Sequence, residues 1–194
     1  MRRLRTLTRD TRGATIVEFA IVAPVMMMLL MGLCDLAYQI YAQSILDGAM
    51  QKAGRDAALQ GGGTKSADLD KNVQDMVKKI AANATFTVSR VNYDSFSVIK
   101  PEPFTDSNGN GVRNAGECFT DVNDNGVWDS DPGLAGQGGA NDVTLYTMTV
   151  TYPRLFPVAG LLGWSSSQTI SASTLLKNQP YASQSVAAAK QVCT

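Results

Sequence analysis

The first third of the chain consists of a long apolar run followed by a helical pattern of apolar positions. From Ala14 to Cys34 the sequence reads ATIVEFAIVAPVMMMLLMGLC, 21 residues in which Glu18 is the single charged side chain. A helix of this length spans about 30 Å, the thickness of the hydrocarbon core of a bilayer. The run therefore predicts a transmembrane helix, which Pro24 should kink unless neighbouring helices absorb the distortion.

Beyond the run, apolar residues recur at spacings of mostly three and four, with polar residues between them. These positions are Leu33, Leu36, Ala37, Ile40, Tyr41, Ile45, Ala49 and Ala53. The periodicity predicts an amphipathic continuation of the same helix to about Leu59, ended by the glycines Gly61–Gly63. A plain stalk that holds a domain off the membrane would have the same pattern of a membrane half joined to an amphipathic half.

A second helix and four strands are predicted downstream. The helix covers residues 67–82, and its apolar face consists of Leu69, Val73, Met76, Val77 and Ile80. The strands are expected at Thr85–Asn92, Ser95–Ile99, Val143–Tyr152 and Thr169–Leu176. In the third strand apolar residues alternate with threonines, which indicates one apolar and one mostly hydroxylic face. The pattern predicts an antiparallel sheet packed by one face onto the long helix, and so an α+β fold.

Charge and composition exclude several classes of function. Basic and acidic side chains number 17 each, but residues 1–13 carry five arginines against one aspartate. This basic leader predicts a cytoplasmic N-terminus and a single-pass protein whose C-terminal domain lies in the periplasm of a bacterium. No basic patch remains elsewhere to bind nucleic acid. Because the chain lacks histidine, His-dependent nucleophiles and His-bearing zinc sites are excluded.

Glu18 is the most informative residue of the apolar run. An ionised carboxylate inside the hydrocarbon is costly, and such residues usually have a partner and a function. If the chain is cut after Gly13, Ala14 gains a positive α-amino group one helical turn away from Glu18. The carboxylate can then neutralise an N-terminal ammonium, its own or that of a neighbouring subunit, as two helices pack in lipid.

Three simpler interpretations of the apolar run explain fewer features of the sequence. A cleaved secretory signal needs a small-residue site after the run, and none follows. A lipoprotein acceptor at Cys34 needs a small residue before it, where Leu33 stands. A generic signal anchor explains the apolar run and leaves Glu18 without a role.

The residues around Gly13, Ala14, Glu18 and Phe19 resemble the processing site of type IV pilin-like proteins. The Glu-Phe pair and the long leader resemble the TadE-like minor pseudopilins of the tight-adherence (Tad, or Flp) pilus. The segment Ile170–Tyr181 is similar to the closing strand of that family, with Lys177 and Gln179 where the family usually has Arg and Glu. Tyr152–Pro157 is similar to the loop before that strand. The resemblance covers residues 9–60 and 141–181 and omits the middle of the chain.

This resemblance implies a set of partners and a location. A prepilin peptidase would cut after Gly13, and the helix would then join other pilins or pseudopilins of the same pilus. The chain would lie in the inner membrane, in contact with its lipid, and could be incorporated into a surface pilus. The resulting division is a cleaved leader (1–13), a transmembrane and amphipathic helix (14–60) and a periplasmic α+β domain (61–194).

The segment 104–132 interrupts that domain and is rich in Asp, Asn and Gly. Its first part has the EF-hand loop spacing D-x-[DN]-x-[DN]-G-x₅-E. The expected calcium ligands are Asp106, Asn108, Asn110, the carbonyl of Val112, Asn114 directly or through water, and a bidentate Glu117. Because the entering helix of an EF-hand is replaced by Pro101 and Pro103, an extracellular-type calcium loop is expected, and the fold becomes α+β with a calcium-loop insertion.

A near-repeat of the loop begins at Asp121. The corresponding ligands are Asp121, Asn123, Asn125, the carbonyl of Val127, Asp129 and Asp131. Pro132 stands where the closing Glu should be, so Asp129 or Asp131 is expected to substitute. An Asx-rich turn region without metal is the simpler alternative, and a glycosidase acid pair is another interpretation of the carboxylates.

The cysteines fall into two groups. Cys34 lies in the membrane run, whereas Cys118 and Cys193 would both lie in an oxidising compartment. A bridge between these two would tie the C-terminal tail to the calcium segment, and two free or intermolecular thiols are the alternative.

The patterns together favour a minor pseudopilin that binds Ca²⁺ and is not an enzyme. The runner-up is a signal-anchored periplasmic calcium-binding module without a pilus role. A hydrolase that uses Asp and Glu is the third hypothesis, and it lacks a nucleophile–base pair.

Overall fold

The computed structural model describes residues 12–59, 66–178 and 189–193. The leader residues 1–11, the glycines Gly61–Gly63 and the segment Gln179–Tyr181, on which several predictions fall, lie outside the described residues. Helix α1 (Arg12–Leu59) is a single helix of 48 residues that runs through Pro24. At 1.5 Å per residue it is about 72 Å long. Its described part reaches Leu59, so the predicted continuation of the helix beyond the apolar run is confirmed.

The remaining elements are short by comparison. They are α2 (Ser66–Lys78), β1 (Thr85–Tyr93), β2 (Cys118–Asp121), β3 (Leu134–Ala135), β4 (Val143–Pro153), the single turn α3 (Val158–Leu161), β5 (Ser167–Lys177) and β6 (Lys190–Cys193). The main sheet has four strands in the order β3-β1-β4-β5, and all of its pairs are antiparallel. A second, two-stranded sheet pairs β2 with β6.

The core lies between the C-terminal half of α1, helix α2 and one face of the main sheet. Helix α1 contributes mostly small side chains, namely Ala42, Leu46, Ala49, Met50, Ala53 and Ala57. The sheet contributes the alternating residues of β4 and β5, namely Tyr146, Met148, Val150, Tyr152, Ile170, Ala172 and Leu176. At Gly54 a Cβ atom would lie 3.2 Å from Oγ1 of Thr174, so the helix and sheet approach closely there. The fold is α+β, with the long helix packed on an antiparallel sheet as predicted.

Helix α2 is joined to the sheet by a polar cluster at the edge of this core. The hydroxyl of Tyr146 donates to Oδ1 of Asp70 at 2.6 Å, and the guanidinium of Arg90 forms an ion pair with the same carboxylate. That guanidinium also lies 4.5 Å from the centroid of the Tyr146 ring, a cation–π geometry. Burial raises the pKa of Tyr146, and the bond to Asp70 adds to the shift.

Two sequence predictions are corrected by the fold. Residues Ser95–Ile99 do not form a strand, because Phe96–Val98 is a 3₁₀ turn. The neighbouring strand β4 begins opposite Tyr93, so the residues beyond it have no strand of that sheet beside them. The second helix ends at Lys78 and not at residue 82, because the carbonyl of Val77 accepts the N–H groups of both Ile80 and Ala81 in a tight turn.

Candidate functional site

The N-terminal part of α1 exposes apolar side chains on all sides. The backbone is helical from Arg12, so Gly13 and Ala14 belong to α1. Glu18 is exposed, and Phe19 is 63% exposed. Ala14 and Glu18 are four positions apart in the helix, which is about one turn.

Among the described residues, one helix is long and apolar enough to cross a membrane. It is α1, within Thr15–Ala57, and its most apolar stretch of 18 residues has a mean hydropathy of 2.3 and is not buried by any other part of the protein. This is consistent with a single-pass membrane anchor at the N-terminal end.

The first Asp/Asn-rich loop, residues 106–117, is organised by carboxylates that accept backbone N–H groups. Oδ1 of Asp106 accepts from Gly109 at 2.7 Å, and Oδ2 accepts from Gly111 at 2.8 Å. The N–H of Gly111 is the main reason that the pKa of Asp106 lies below its usual value. Gly109 and Gly111 have φ of +73° and +76°, a conformation that glycine adopts without steric cost.

Glu117 closes this first loop. It is 6% exposed, and its two oxygens accept different backbone groups: Oε1 takes the N–H of Ser107 at 2.9 Å and Oε2 that of Asn114 at 2.8 Å. The N–H of Asn114 is the main cause of a lowered pKa at Glu117. The last residue of the spacing motif therefore binds the second and the ninth positions of the loop.

The second loop, residues 121–131, has the same construction. Asp121 is 2% exposed, and its oxygens accept from Asn125 at 3.3 Å and from Gly126 at 2.8 Å. Oδ2 of Asp129 accepts the amides of Asn123 at 3.0 Å and Asn125 at 2.6 Å. The repeated spacing in the sequence thus corresponds to a repeated backbone conformation, with Gly126 at φ +76° in the place of Gly111.

Glu102 occupies in the second loop the place that Glu117 has in the first. It is 1% exposed; Oε1 accepts the N–H of Val122 at 2.8 Å and Oε2 that of Asp129 at 3.0 Å. These are again the second and ninth positions of a loop. The sequence pattern does not predict Glu102, because this residue precedes Asp121 by 19 residues and belongs to no local spacing. One signal was present in the sequence: an acidic residue between Pro101 and Pro103, just before the paired loops.

The candidate closing residue Asp131 has other partners. Its Oδ1 accepts from the hydroxyl of Tyr93 at 2.9 Å and from the N–H of Gly133 at 3.2 Å. Burial, followed by the hydrogen bond to Asp131, raises the pKa of Tyr93 to about 12. Asp131 therefore connects the end of the second loop to strand β1.

The two loops offer oxygen atoms and few clustered acids. Among the described residues, no group of three or more His, Cys, Asp or Glu side chains is placed to hold a metal ion. Each loop instead has two carboxylates bound to its own backbone, Asp106 with Glu117 and Asp121 with Glu102. Each carboxylate oxygen that accepts a single N–H retains a free lone pair, and the Asn side chains and carbonyls add further oxygens of the kind that hard cations prefer.

A disulfide ties the chain's end to these loops. Cys118 and Cys193 face each other in the β2–β6 pair and are bonded with an S–S distance of 2.01 Å. Lys190 of β6 donates to Asp124 of the second loop at 2.7 Å. Next to the disulfide, Phe119 is 1% exposed and lies under the guanidinium of Arg113, 5.1 Å from the ring centroid. Cys34 is a free, exposed thiol on α1.

Comparison with protein families gives a match over the N-terminal part of the chain. Residues 13–55 match the family model described as TadE-like protein. No curated protein and no solved structure matches the chain. The match begins at Gly13, includes Glu18 and Phe19 and ends four residues before the last residue of α1. It therefore confirms the resemblance to TadE-like proteins: over residues 13–55 this chain has the TadE-like domain of a protein associated with the tight-adherence pilus.

Proposed function

We propose that this protein is a minor pseudopilin of a tight-adherence pilus, cut after Gly13 by a prepilin peptidase. The observation that carries the proposal is the TadE-like match, which begins at Gly13 and covers most of a 48-residue helix. The proposed location is the bacterial inner membrane, with the N-terminus in the cytoplasm and residues 61–194 in the periplasm. The proposed partners are the other pilins or pseudopilins of the same pilus, and the protein acts by assembly and not by catalysis.

Glu18 has the central role in this proposal. After a cut at Gly13, the new α-amino group of Ala14 lies one helical turn from the Glu18 carboxylate, about 6 Å along the helix axis. A pair between these two groups, within one subunit or between two, lowers the cost of keeping both in hydrocarbon. The pair would form only after processing, which couples the cut to assembly.

The N-terminus of the protein taken from membranes tests the proposed cut. Ala14 as the first residue supports it, whereas Met1 or a different cut supports the alternative, a signal-anchored calcium-binding module without a pilus role. Gly13→Leu should leave the chain uncut. Gly48→Leu is the matched control, because Gly48 lies in the same helix and a Cβ there meets no atom within 4 Å. Normal piliation by the uncut Gly13 variant would contradict the proposal.

The role of Glu18 is tested separately. Glu18→Gln should leave membrane insertion intact and reduce co-purification with the pilins of the same system. Asp47→Asn is the control, since Asp47 is an exposed acid of α1 beyond the membrane run. Equal recovery of pilins with both variants would show that the Glu18 charge has no part in assembly.

We also propose that the loops at 106–117 and 121–131 bind Ca²⁺, outside the part of the chain that the family match covers. Support comes from the glutamates that bind corresponding backbone positions of the two loops, Glu117 in the first and Glu102 in the second, beside Asp106 and Asp121. The remaining proposed ligands are Asn108, Asn110, Val112, Asn114, Asn123, Asn125, Val127 and Asp129. A bound cation would compensate the crowding of acidic groups and would order both loops, with stabilisation that grows with calcium concentration.

Limited proteolysis in chelator and in millimolar calcium tests the second proposal. Calcium should protect residues 104–132 from cleavage, and magnesium should protect them poorly because it requires a smaller octahedral shell. Asp106→Ala with Glu117→Ala should remove the effect at the first loop, and Glu102→Gln should weaken it at the second. Asp131→Ala is the matched control, because Asp131 bonds Tyr93 and Gly133. Identical cleavage patterns with and without calcium would overturn the proposal.

A further inference from the structure

The connection between β4 and β5 has an exposed apolar surface that neither proposal above uses. We call residues 154–166 the β4–β5 loop. From Leu155 to Trp164 the sequence contains no charged side chain. Its exposed large apolar residues are Leu155 (55%), Leu161 (74%), Leu162 (56%) and Trp164 (67%). Several large apolar groups on one short loop indicate a surface that is covered by something apolar in the working protein.

The loop has a defined backbone. Its base is closed by the N–H of Arg154, which donates to the carbonyl of Ser166 at 2.9 Å. Inside it, the N–H of Trp164 donates to the carbonyl of Ala159 at 2.8 Å, after the single turn α3. The apolar side chains are therefore held by a hydrogen-bonded structure and point outward from it.

The loop lies against α1 at the end of the apolar run. Arg154 forms an ion pair with Asp35, the first acidic residue after that run. Beside the pair a groove of about 580 Å³ opens between the loop and the helix. Its walls include Val25, Leu29 and Leu33 of α1 and Phe156, Leu162 and Trp164 of the loop.

We propose that the β4–β5 loop enters the same membrane leaflet as the last turns of the apolar run, with lipid acyl chains in the groove. The inference rests on the proposed role of α1 as a membrane anchor. If residues 14–34 span the bilayer, the groove wall from Val25 to Leu33, about 12 Å along the helix axis, lies at the depth of the hydrocarbon. The occupant at that depth is lipid.

The chemistry of the loop fits this position. Tryptophan is enriched where the hydrocarbon meets the headgroups, and Trp164 lies near the Arg154–Asp35 pair, which marks the polar boundary. Because Arg154 is already paired with Asp35 and the following ten residues are uncharged, recognition does not depend on the headgroup. We expect zwitterionic and anionic lipids to serve equally.

Quenching of tryptophan fluorescence by lipids brominated on their acyl chains tests the proposal. The full chain is reconstituted in phosphatidylcholine vesicles. The protein has two tryptophans, so Trp128→Phe reports on Trp164 and Trp164→Phe reports on Trp128. The difference between the unchanged protein and Trp164→Phe isolates Trp164 even if Trp128→Phe disturbs the second loop. Leu29→Trp in a chain without the other two tryptophans reports on the insertion of α1.

The expected result is quenching of Trp164 several-fold stronger than that of Trp128, together with quenching of the Leu29→Trp probe. Leu161→Lys should reduce the quenching of Trp164, whereas Leu134→Lys, at a comparably exposed residue of β3, should not. Quenching of the Leu29→Trp probe without quenching of Trp164 overturns this inference and leaves the anchor intact. If, in that case, the fluorescence of Trp164 changes only with the number of protein molecules per vesicle, the loop contacts a second copy of the chain and not lipid. Absence of quenching at both positions overturns the membrane anchor itself, and the inference with it.

Discussion

The core between α1, α2 and the main sheet buries almost only apolar side chains. Residues 102–132 differ, because three of their buried side chains are carboxylates. In the helix–sheet core, residues such as Leu46, Met50 and Met148 are at most 1% exposed, and removal of apolar surface from water stabilises the structure. In the Asp/Asn-rich segment, Glu102, Glu117 and Asp121 are buried because they accept backbone N–H groups of the loops. The stability of the first region depends on the shape and volume of its apolar side chains. The stability of the second depends on hydrogen bonds to charged carboxylates and on the disulfide.

The largest effect is expected from the disulfide. Replacement of both Cys118 and Cys193 by serine removes a link across a sequence separation of 75 residues. The chain-entropy model gives about 4.5 kcal/mol for a loop of that length. The free energy of unfolding of the full chain in detergent, measured by chemical denaturation, should fall by up to that amount. Residues 104–132 should become sensitive to protease first, while α1 and the main sheet stay protected. Simultaneous loss of protection in both regions would contradict the contrast between them.

A cavity in the core should cause the second largest loss in the free energy of unfolding. Leu46→Ala removes a side chain with 0% exposure from the face of α1 that packs on the sheet. Substitutions of this kind cost about 3 kcal/mol or more. Leu175→Ala is the control, because Leu175 is 46% exposed on β5, and its cost should stay below about 0.5 kcal/mol. Thermal unfolding followed by circular dichroism measures both, and equal costs would mean that the α1 face does not support the fold.

A smaller effect is expected from Glu102→Gln. The amide keeps the size of the side chain and loses the charge and one of the two oxygens that bind Val122 and Asp129. We expect a cost of about 2 kcal/mol and faster hydrogen exchange confined to residues 121–131. Glu117→Gln is the matched variant and should loosen residues 106–117 in the same way. If each substitution loosened both loops equally, the two loops would behave as one unit.

The smallest effect on the free energy of unfolding is expected from the polar cluster of Asp70, Arg90 and Tyr146 at the edge of the core. Tyr146→Phe removes the hydroxyl that donates to Asp70 and keeps the ring beneath Arg90. Since Arg90 remains paired with Asp70, the cost should be about 1 kcal/mol. Chemical denaturation of the variant measures it. A cost equal to that of Leu46→Ala would show that the core depends on polar contacts as much as on packing.

The apolar periodicity was sufficient to predict the long helix and the three main strands. Helix α1 continues beyond the apolar run as predicted, and β1, β4 and β5 extend the predicted strands by one to three residues. The alternation of β4 works as a signal because a half-buried strand in an antiparallel sheet has one face to the core. The same alternation failed at Ser95–Ile99, where Phe96 and Val98 have the spacing of a strand but β4 does not extend beside them.

The candidate site residues also divide into those that a local sequence pattern predicts and those that it does not. The spacing of Asp106 to Glu117 and of Asp121 to Asp131 identified two loops of the same backbone conformation, because that spacing encodes a local turn. The partner of the second loop, Glu102, could not be read from spacing, since it reaches the loop from an earlier part of the chain. The short pair β2–β6 was also missed, because a two-stranded sheet of four residues a strand has little periodicity of its own.

The disulfide has a consequence for what proteolysis does to the chain. Cys118 and Cys193 enclose the whole second loop and strands β3, β4 and β5 in one covalent ring. A peptide bond broken between these cysteines opens the ring into a branched molecule and releases no fragment. Both pieces separate only after reduction, so a nicked subunit keeps its mass on a non-reducing gel and its sheet strands stay attached to the anchor helix.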